Sequence, residues 1–252
     1  MKYLFSPEGT QALQQTLTED VLLAFDYDGT LAPITAQYAD TRTPPAITRA
    51  LEQLMTYRKV VIITGRAIAD VAPRLGFAPY TIIGNHGAEG SDNGDSAEHA
   101  ALVASWRTIM EEEFAEAFQA AGVVVEDKRY SLSLHYRQAH DISAARQLIL
   151  QACAALEPPA QIFGGKCIVN IAPHDAPDKA DALLALARAE GASSAIFVGD
   201  DENDEVVFER APTHWLTVRV GETPRSAARY YLGQQTDMLA FIETILHHLQ
   251  GR

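Results

Sequence analysis

Five short apolar runs recur along the 252-residue chain, at 21–25, 60–63, 81–83, 195–198 and 216–220, each followed by polar or glycine-containing residues. Runs of this length and residue type predict buried strands. Between most of them the apolar period lengthens to that of a helix. Thr43, followed by Pro44 and Pro45, predicts a helix start with Thr43 as its cap, and Ile47, Leu51, Leu54 and Met55 keep helical spacing. Further helices are predicted over 67–75, over 178–189 with Ala182, Leu183, Leu186 and Ala187 on one face, and over 237–249 behind a Thr236 cap. Alternating strand and helix predict an α/β fold, a parallel sheet with helices on both sides.

The middle of the chain reads differently. A helical stretch over 97–121 leads into Val123-Val-Val-Glu126 and then Tyr130-Ser-Leu-Ser-Leu-His-Tyr136, which alternates with period two like a half-exposed strand. A helix over 142–156 ends at Pro158-Pro159, and residues 161–163 and 167–171 read as another strand pair. A smaller α/β unit of antiparallel character is therefore expected at 105–172, inserted in a larger one made of 1–104 and 173–252. Trp106 and Trp215 are expected in the cores.

Composition narrows the function classes. Acidic residues outnumber basic ones 33 to 20, a formal net charge of -13, which argues against a nucleic-acid partner. A small anionic substrate remains compatible, since local cations and a metal set the field inside a pocket. Cys153 and Cys167 form neither a disulfide framework nor a metal-type pair and are expected to be reduced thiols. The N-terminus lacks the apolar core of a signal peptide, and no run approaches the roughly 18 apolar residues of a membrane helix. The expectation is a soluble, cytoplasmic protein without membrane contact. Nothing decides its oligomeric state, with a monomer as the default.

The chemistry gathers at the ends of the apolar runs. Asp26 and Asp28 follow the first, two residues apart, with Gly29 allowing a sharp turn. Two acids this close repel each other, which a divalent cation relieves. Such a pair suits one carboxylate as nucleophile and the other as proton donor. Thr64-Gly65-Arg66 follows the second run, a hydroxyl with backbone N–H groups that suits a phosphate; read alone, Thr64 is a helix cap. Lys179 opens a helix, where a cation is unfavourable unless an anion faces it; read alone it is a solvated surface residue. Gly199-Asp200-Asp201-Glu-Asn203-Asp204 follows the fourth run, a group suited to Mg²⁺ and equally to an acidic helix N-terminus.

In this order the four motifs closely resemble those of the haloacid dehalogenase superfamily of phosphohydrolases. Gly84-Asn-His86-Gly-Ala-Glu89, Val125-Glu126-Asp-Lys128-Arg129-Tyr-Ser-Leu-Ser-Leu-His135-Tyr136-Arg137 and Gly165-Lys166-Cys-Ile-Val-Asn170 resemble its trehalose-6-phosphate phosphatase branch. The resemblance implies a Rossmann-like core with an inserted α/β cap domain. It implies Asp26 as nucleophile and Asp28 as acid, then base. It implies Mg²⁺ on the Asp26 carboxylate, the Asp28 backbone carbonyl and Asp200, oriented by Asp201 and Asp204. Thr64, Gly65 and Lys179 would hold phosphate. An acid at Asp28 favours phosphoryl transfer over dehalogenation, which needs none there.

For the sugar, the implied residues are Arg66, His86, Lys128, His135, Arg137, Lys166, Asn170 and Asn203, with Glu126 also polar on a candidate strand. His135 and Arg137 share one face on a two-residue period. The sequence departs from the branch in three places: Asn170 stands where a glutamate is usual, Ala172 where an arginine is, and Asn203 where threonine is common. These bear on the sugar and leave the core chemistry intact. The expected reaction is Mg²⁺-dependent hydrolysis of trehalose 6-phosphate through an aspartyl-phosphate. The alternatives are phosphatases for another glycosyl phosphate, such as glucosylglycerol or sucrose phosphate, then a sugar phosphomutase, then a non-catalytic sugar-phosphate binder.

Overall fold

In the computed structural model, which describes residues 1–35, 40–91, 96–165 and 167–251, the chain divides into two compact units. One comprises Met1–Asp92 and Asp178–Arg252, the other Asn93–Pro177. The five apolar runs all become strands of the first unit: β2 (Leu22–Phe25), β3 (Lys59–Ile63), β4 (Thr81–Ile83), β9 (Ala195–Gly199) and β10 (Leu216–Val220). Two short strands, β1 (Lys2–Tyr3) at the edge and β11 (Tyr230–Leu232) beside it, complete a sheet of order β1-β11-β10-β9-β2-β3-β4. Every neighbouring pair in it is parallel.

A parallel sheet covered on both faces needs apolar residues in both alternating sets. Leu23, Phe25, Val60, Ile62, Ile196 and Val198 enter one core with helices α1 (Pro7–Thr16), α2 (Pro45–Leu54), α3 (Ile68–Leu75) and α9 (Asp237–Gln250). The intervening Leu22, Ala24, Val61, Ile63, Ala195 and Phe197 enter the opposite core with α7 (Lys179–Ala189) and α8 (Glu205–Arg210). Each fully buried Leu, Ile or Phe contributes roughly 1.5–3 kcal/mol. From β2 the chain winds outward through β3 and β4, and from β9 it winds the other way through β10 and β11. The order therefore reverses between β2 and β9, and ligands of open α/β sheets bind at the carboxyl ends of such strands.

Three helix starts differ from their sequence reading. Thr43 does not cap α2: Pro44 holds the N-cap position, and no side chain bonds the first turn. Thr236 sits at the N-cap of α9 with its backbone already helical and its hydroxyl unbonded to the helix. Thr64 lies four residues ahead of α3, and the Glu89 carboxylate accepts the Ile68 N–H instead, at 2.9 Å. The strands β1 and β11 and helix α1 had no prediction, because two or three residues carry no periodicity and α1 holds few apolar positions.

The second unit is an antiparallel sheet of order β5-β6-β8-β7, formed by β5 (Val124–Asp127), β6 (Leu132–His135), β7 (Gln161–Gly165) and β8 (Ile168–Ala172). Its helices are α4 (Ala97–Glu113), α5 (Ala115–Ala121) and α6 (Ile142–Ala154). The single helix expected over 97–121 breaks at Phe114, whose φ of -123° is not helical. Val103, Trp106 and Met110 of α4 join Leu132, Leu134, Ile149, Val169 and Ile171 in one core. That packing is why the unit begins at Asn93: the expected boundary at 105 cuts through α4. Trp106 and Trp215 are buried, as expected.

Candidate active site

Asp26 immediately follows β2, and its N–H donates to the Val198 carbonyl of β9 at 2.8 Å. Phe25 pairs with Val198 on one side and with Ile62 on the other. This register brings Asp26, the Thr64–Gly65 turn after β3 and Asp200 after β9 to the carboxyl ends of three adjacent strands. Lys179, at the first turn of α7, reaches in from that helix and donates to Asp26 Oδ1 and Asp204 Oδ1, both at 2.7 Å. The capping box of Asp178 and Asp181 fixes the helix start that carries it. Asp26, Lys179, Asp200 and Asp204 are all buried.

Among the described residues, Asp26, Asp200 and Asp204 bring carboxylate oxygens within 4.8 Å of one another. Burial pushes the Asp26 carboxyl well above the usual range; Lys179 pulls it back, while Asp204 and Asp200 add to the rise. Burial works against charge on Lys179, but Asp204 and Asp26 outweigh it and hold the ammonium charged. One ammonium offsets one of three carboxylate charges, and the two left over are the complement of a divalent cation. An all-oxygen set suits Mg²⁺. Gly29, at φ +82°, keeps the approach open: a Cβ there would lie 2.2 Å from Asp200 Oδ2. These residues fit a magnesium ion.

Asp204 serves the cluster by orientation. Its Oδ2 accepts the backbone N–H groups of Asp200 at 2.9 Å and Asp201 at 3.0 Å, while Oδ1 takes Lys179. Asp201 forms the other half of that capping box. Arg219 of β10 had no sequence signal, yet it binds the Asp200 carbonyl at 2.6 Å and the Asp201 carbonyl at 3.2 Å. Asn203 lies in the short 3₁₀ turn between them, and its Oδ1 is buried with no hydrogen-bond partner among the described residues.

The Asp28 side chain turns toward Arg66, whose Nε and Nη2 meet its two oxygens at 2.6 Å each. Arg66 Nη1 donates to Asp70 Oδ2 at 2.7 Å. Arg66 was expected on the substrate; the structure shows its fully buried guanidinium bridging two carboxylates. Thr64 Oγ1 accepts the Arg66 N–H at 3.2 Å. His86 has a positive φ of 58°, within the Gly84–Glu89 turn closed by backbone bonds at 3.0 and 3.2 Å. Its ring lies against Gly65, where a Cβ would stand 2.3 Å from the imidazole. Gly65 is thus required by the approach of His86.

In the second unit, Glu126, Ser133 and Asn170 occupy one register row across β5, β6 and β8. Ser133 Oγ donates to Asn170 Oδ1 at 2.6 Å, and both residues are buried. His135 Nε2 lies 2.8 Å from Glu126 Oε2, and the buried Lys128 ammonium lies 3.8 Å from the same oxygen. Arg137 falls two residues beyond the end of β6 at His135, and it is exposed. Lys166 lies outside the described residues. No helix among the described residues is long and apolar enough to cross a membrane.

Comparison with known proteins bears on this arrangement. The trehalose-phosphatase family model matches residues 24–233. A probable trehalose-phosphate phosphatase of Sinorhizobium fredii is 32% identical over 207 residues, covering 79% of this chain and 77% of that protein. The trehalose-phosphate phosphatase of Mycobacterium tuberculosis is 27% identical over 270 residues, covering 97% of this chain and 66% of that one, so this chain spans just under two thirds of the mycobacterial length. A crystal structure of a trehalose-6-phosphate phosphatase related protein superposes with a TM-score of 0.75 at 22% identity, covering 92% of this chain and all of that one. The fold is that of the haloacid dehalogenase-type phosphatases. With most of its length matched by the family model, a range that includes Asp26, Thr64, Lys179 and Asp200, the chain belongs to the trehalose-phosphatase family.

Proposed function

We propose that this chain is a Mg²⁺-dependent phosphatase that hydrolyses trehalose 6-phosphate. The observation that carries the reading is the buried Asp26 carboxylate, held by Lys179 at 2.7 Å inside a cluster with Asp200 and Asp204. The relatives' names supply the sugar. Asp26, the Asp28 backbone carbonyl and Asp200 would hold the cation, which when bound screens the phosphate's charge from these acids.

Asp26 attacks phosphorus through a carboxylate oxygen, and the bond from phosphorus to the sugar oxygen breaks. Asp28 gives its proton to that departing oxygen, then takes a proton from the water that cleaves the aspartyl-phosphate. Thr64, the backbone at Gly65 and Lys179 hold phosphate oxygens as charge shifts between them. Asp201 and Asp204 keep the acidic loop in place. The second unit supplies sugar contacts from Glu126, Lys128, His135, Arg137, Lys166 and Asn170. His86 and Asn203 of the first unit are further substrate contacts. The enzyme acts in the cytoplasm.

Asn170 supports a second reading, another glycosyl phosphate as substrate. With its Oδ1 taken by Ser133, this residue offers N–H donors and no carboxylate. Phosphate release from a panel of sugar phosphates with Mg²⁺ separates the two, with Asp26→Asn as control. Fastest turnover of trehalose 6-phosphate and an inert variant support the first reading. A different preferred sugar overturns the substrate, and activity surviving in the variant overturns the nucleophile.

A further inference from the structure

Asp28 is held by an arrangement larger than the reaction itself requires. Arg66 spends Nε and Nη2 on Asp28, so both Asp28 oxygens are engaged. Its third donor group, Nη1, goes to Asp70 Oδ2, one turn along from it in α3. Asp70 is anchored from behind: Arg74 meets Asp70 Oδ1 through Nη2 at 2.5 Å and through Nε at 3.1 Å. The guanidinium also lies over the Tyr27 ring, 5.5 Å from its centroid, and the Tyr27 hydroxyl donates to the Arg74 carbonyl at 3.3 Å. Every member of this chain of contacts belongs to the first unit.

A carboxylate gripped on both oxygens faces its partner and not a leaving group. To deliver a proton to the sugar oxygen, Asp28 must give up at least one bond to Arg66. What that release costs depends on what else holds the guanidinium. A cation shared between two carboxylates binds each less tightly than one facing a single acid, and it keeps its place when one of them leaves. We infer that Asp70, braced by Arg74, is a positioning residue that shares Arg66 with Asp28 and so frees Asp28 to turn toward the leaving group. Burial raises the Asp70 carboxyl, but the hydrogen bonds from Arg74 and Arg66 outweigh it and leave it below the ordinary range, so Asp70 keeps the charge this sharing needs.

The inference rests on the reading of Asp28 as proton donor. In that step the phosphorus–oxygen bond breaks, its electron pair stays on the sugar oxygen, and that oxygen takes the Asp28 proton while Asp26 bonds to phosphorus. A p-nitrophenolate leaving group departs without that proton, so comparing the two substrates isolates Asp28's contribution. The experiment measures kcat/KM for the best sugar phosphate and for p-nitrophenyl phosphate, with Mg²⁺, in the wild type and in Asp28→Asn, Asp70→Asn, Asp70→Glu and Arg74→Gln. The ratio of the two values is independent of the fraction of folded protein, so a poorly folding variant still reports.

Asp28→Asn is expected to lower the sugar-to-aryl ratio about 100-fold. Asp70→Asn is expected to lower it about 10-fold, and Arg74→Gln less, as misplacing a reacting group does. Asp70→Glu, which restores the charge, is expected to recover most of the loss. An unchanged ratio in Asp70→Asn beside a lowered ratio in Asp28→Asn overturns this inference alone. An unchanged ratio in Asp28→Asn overturns the proton-donor reading beneath it.

Discussion

Replacing Asp26 by asparagine should stabilise the metal-free protein while abolishing turnover. Asp26 sits within 4.8 Å of the carboxylate oxygens of Asp200 and Asp204. At an effective dielectric of about 20, each of those repulsions amounts to at least about 3 kcal/mol. The Lys179 ammonium at 2.7 Å returns about 6 kcal/mol on the same scale. Attraction and repulsion nearly cancel, so the penalty for burying the charge, several kcal/mol, decides the sign. Asparagine keeps an oxygen for Lys179, and Lys179 keeps Asp204. A net gain of about 2 kcal/mol follows, which raises Tm by roughly 4–8 °C for a chain of this size.

The pH dependence has a definite sign. Asp26 titrates higher folded than unfolded, so the native state holds that proton more tightly. Stability falls as pH rises through the interval between the two pKa values. The gain from the substitution is therefore absent below about pH 4 and complete above the folded value. Thermal melts followed by circular dichroism in EDTA read this directly. Added Mg²⁺ at about 100 times its Kd should then raise the wild type by about 2.7 kcal/mol and the variant by less. A variant that melts below the wild type in EDTA at neutral pH would refute the reasoning, since the Lys179 pair would then outweigh burial and repulsion together.

Three further outcomes test other parts of the structure. Gly29→Ala places a Cβ against Asp200 at a positive φ, so Mg²⁺ affinity measured by calorimetry should fall at least about 10-fold. Lys179→Met leaves Asp26 and Asp204 without their shared ammonium; stability should drop by about 3–5 kcal/mol, and phosphate release by about 100-fold or more. Trp106→Ala empties a fully buried site and removes the Nε1 bond to the Pro158 carbonyl at 3.1 Å. It should cost about 3–5 kcal/mol, with hydrogen exchange quickening in β5–β8 while β2 and β9 keep their protection.

Much of the catalytic unit was legible in the linear pattern. The runs at 21–25, 60–63 and 195–198 announce central strands because a strand covered on both faces admits no polar position. The residues just past them, Asp26, Thr64 and Asp200, then fall at carboxyl ends with no further information needed. The helix caps were less legible: Thr43 and Thr236 have the right residue type, but a cap forms only where the local backbone aims the hydroxyl at the first turn. The two-residue period of 130–136 also ran too far: residues 130 and 131 belong to the turn that joins β5 to β6, where the Lys128 N–H donates to the Ser131 carbonyl at 3.0 Å.

By itself, the sequence determined the kind of protein this is: a parallel α/β core, an inserted antiparallel unit, and an ordered set of acids, a hydroxyl and a lysine suited to a phosphate and a hard cation. Only the tertiary structure decided how those groups bond. Lys179 meets Asp26 across 153 positions of chain, Arg219 anchors the Asp200 loop from the neighbouring strand, and Ser133 turns the Asn170 amide across a sheet. It also decided that Arg66 grips both Asp70, four residues along the chain, and Asp28, 38 residues back. Residue type and spacing state which groups a segment carries. Direction depends on strand order, register and rotamer, and these are settled when distant segments pack together.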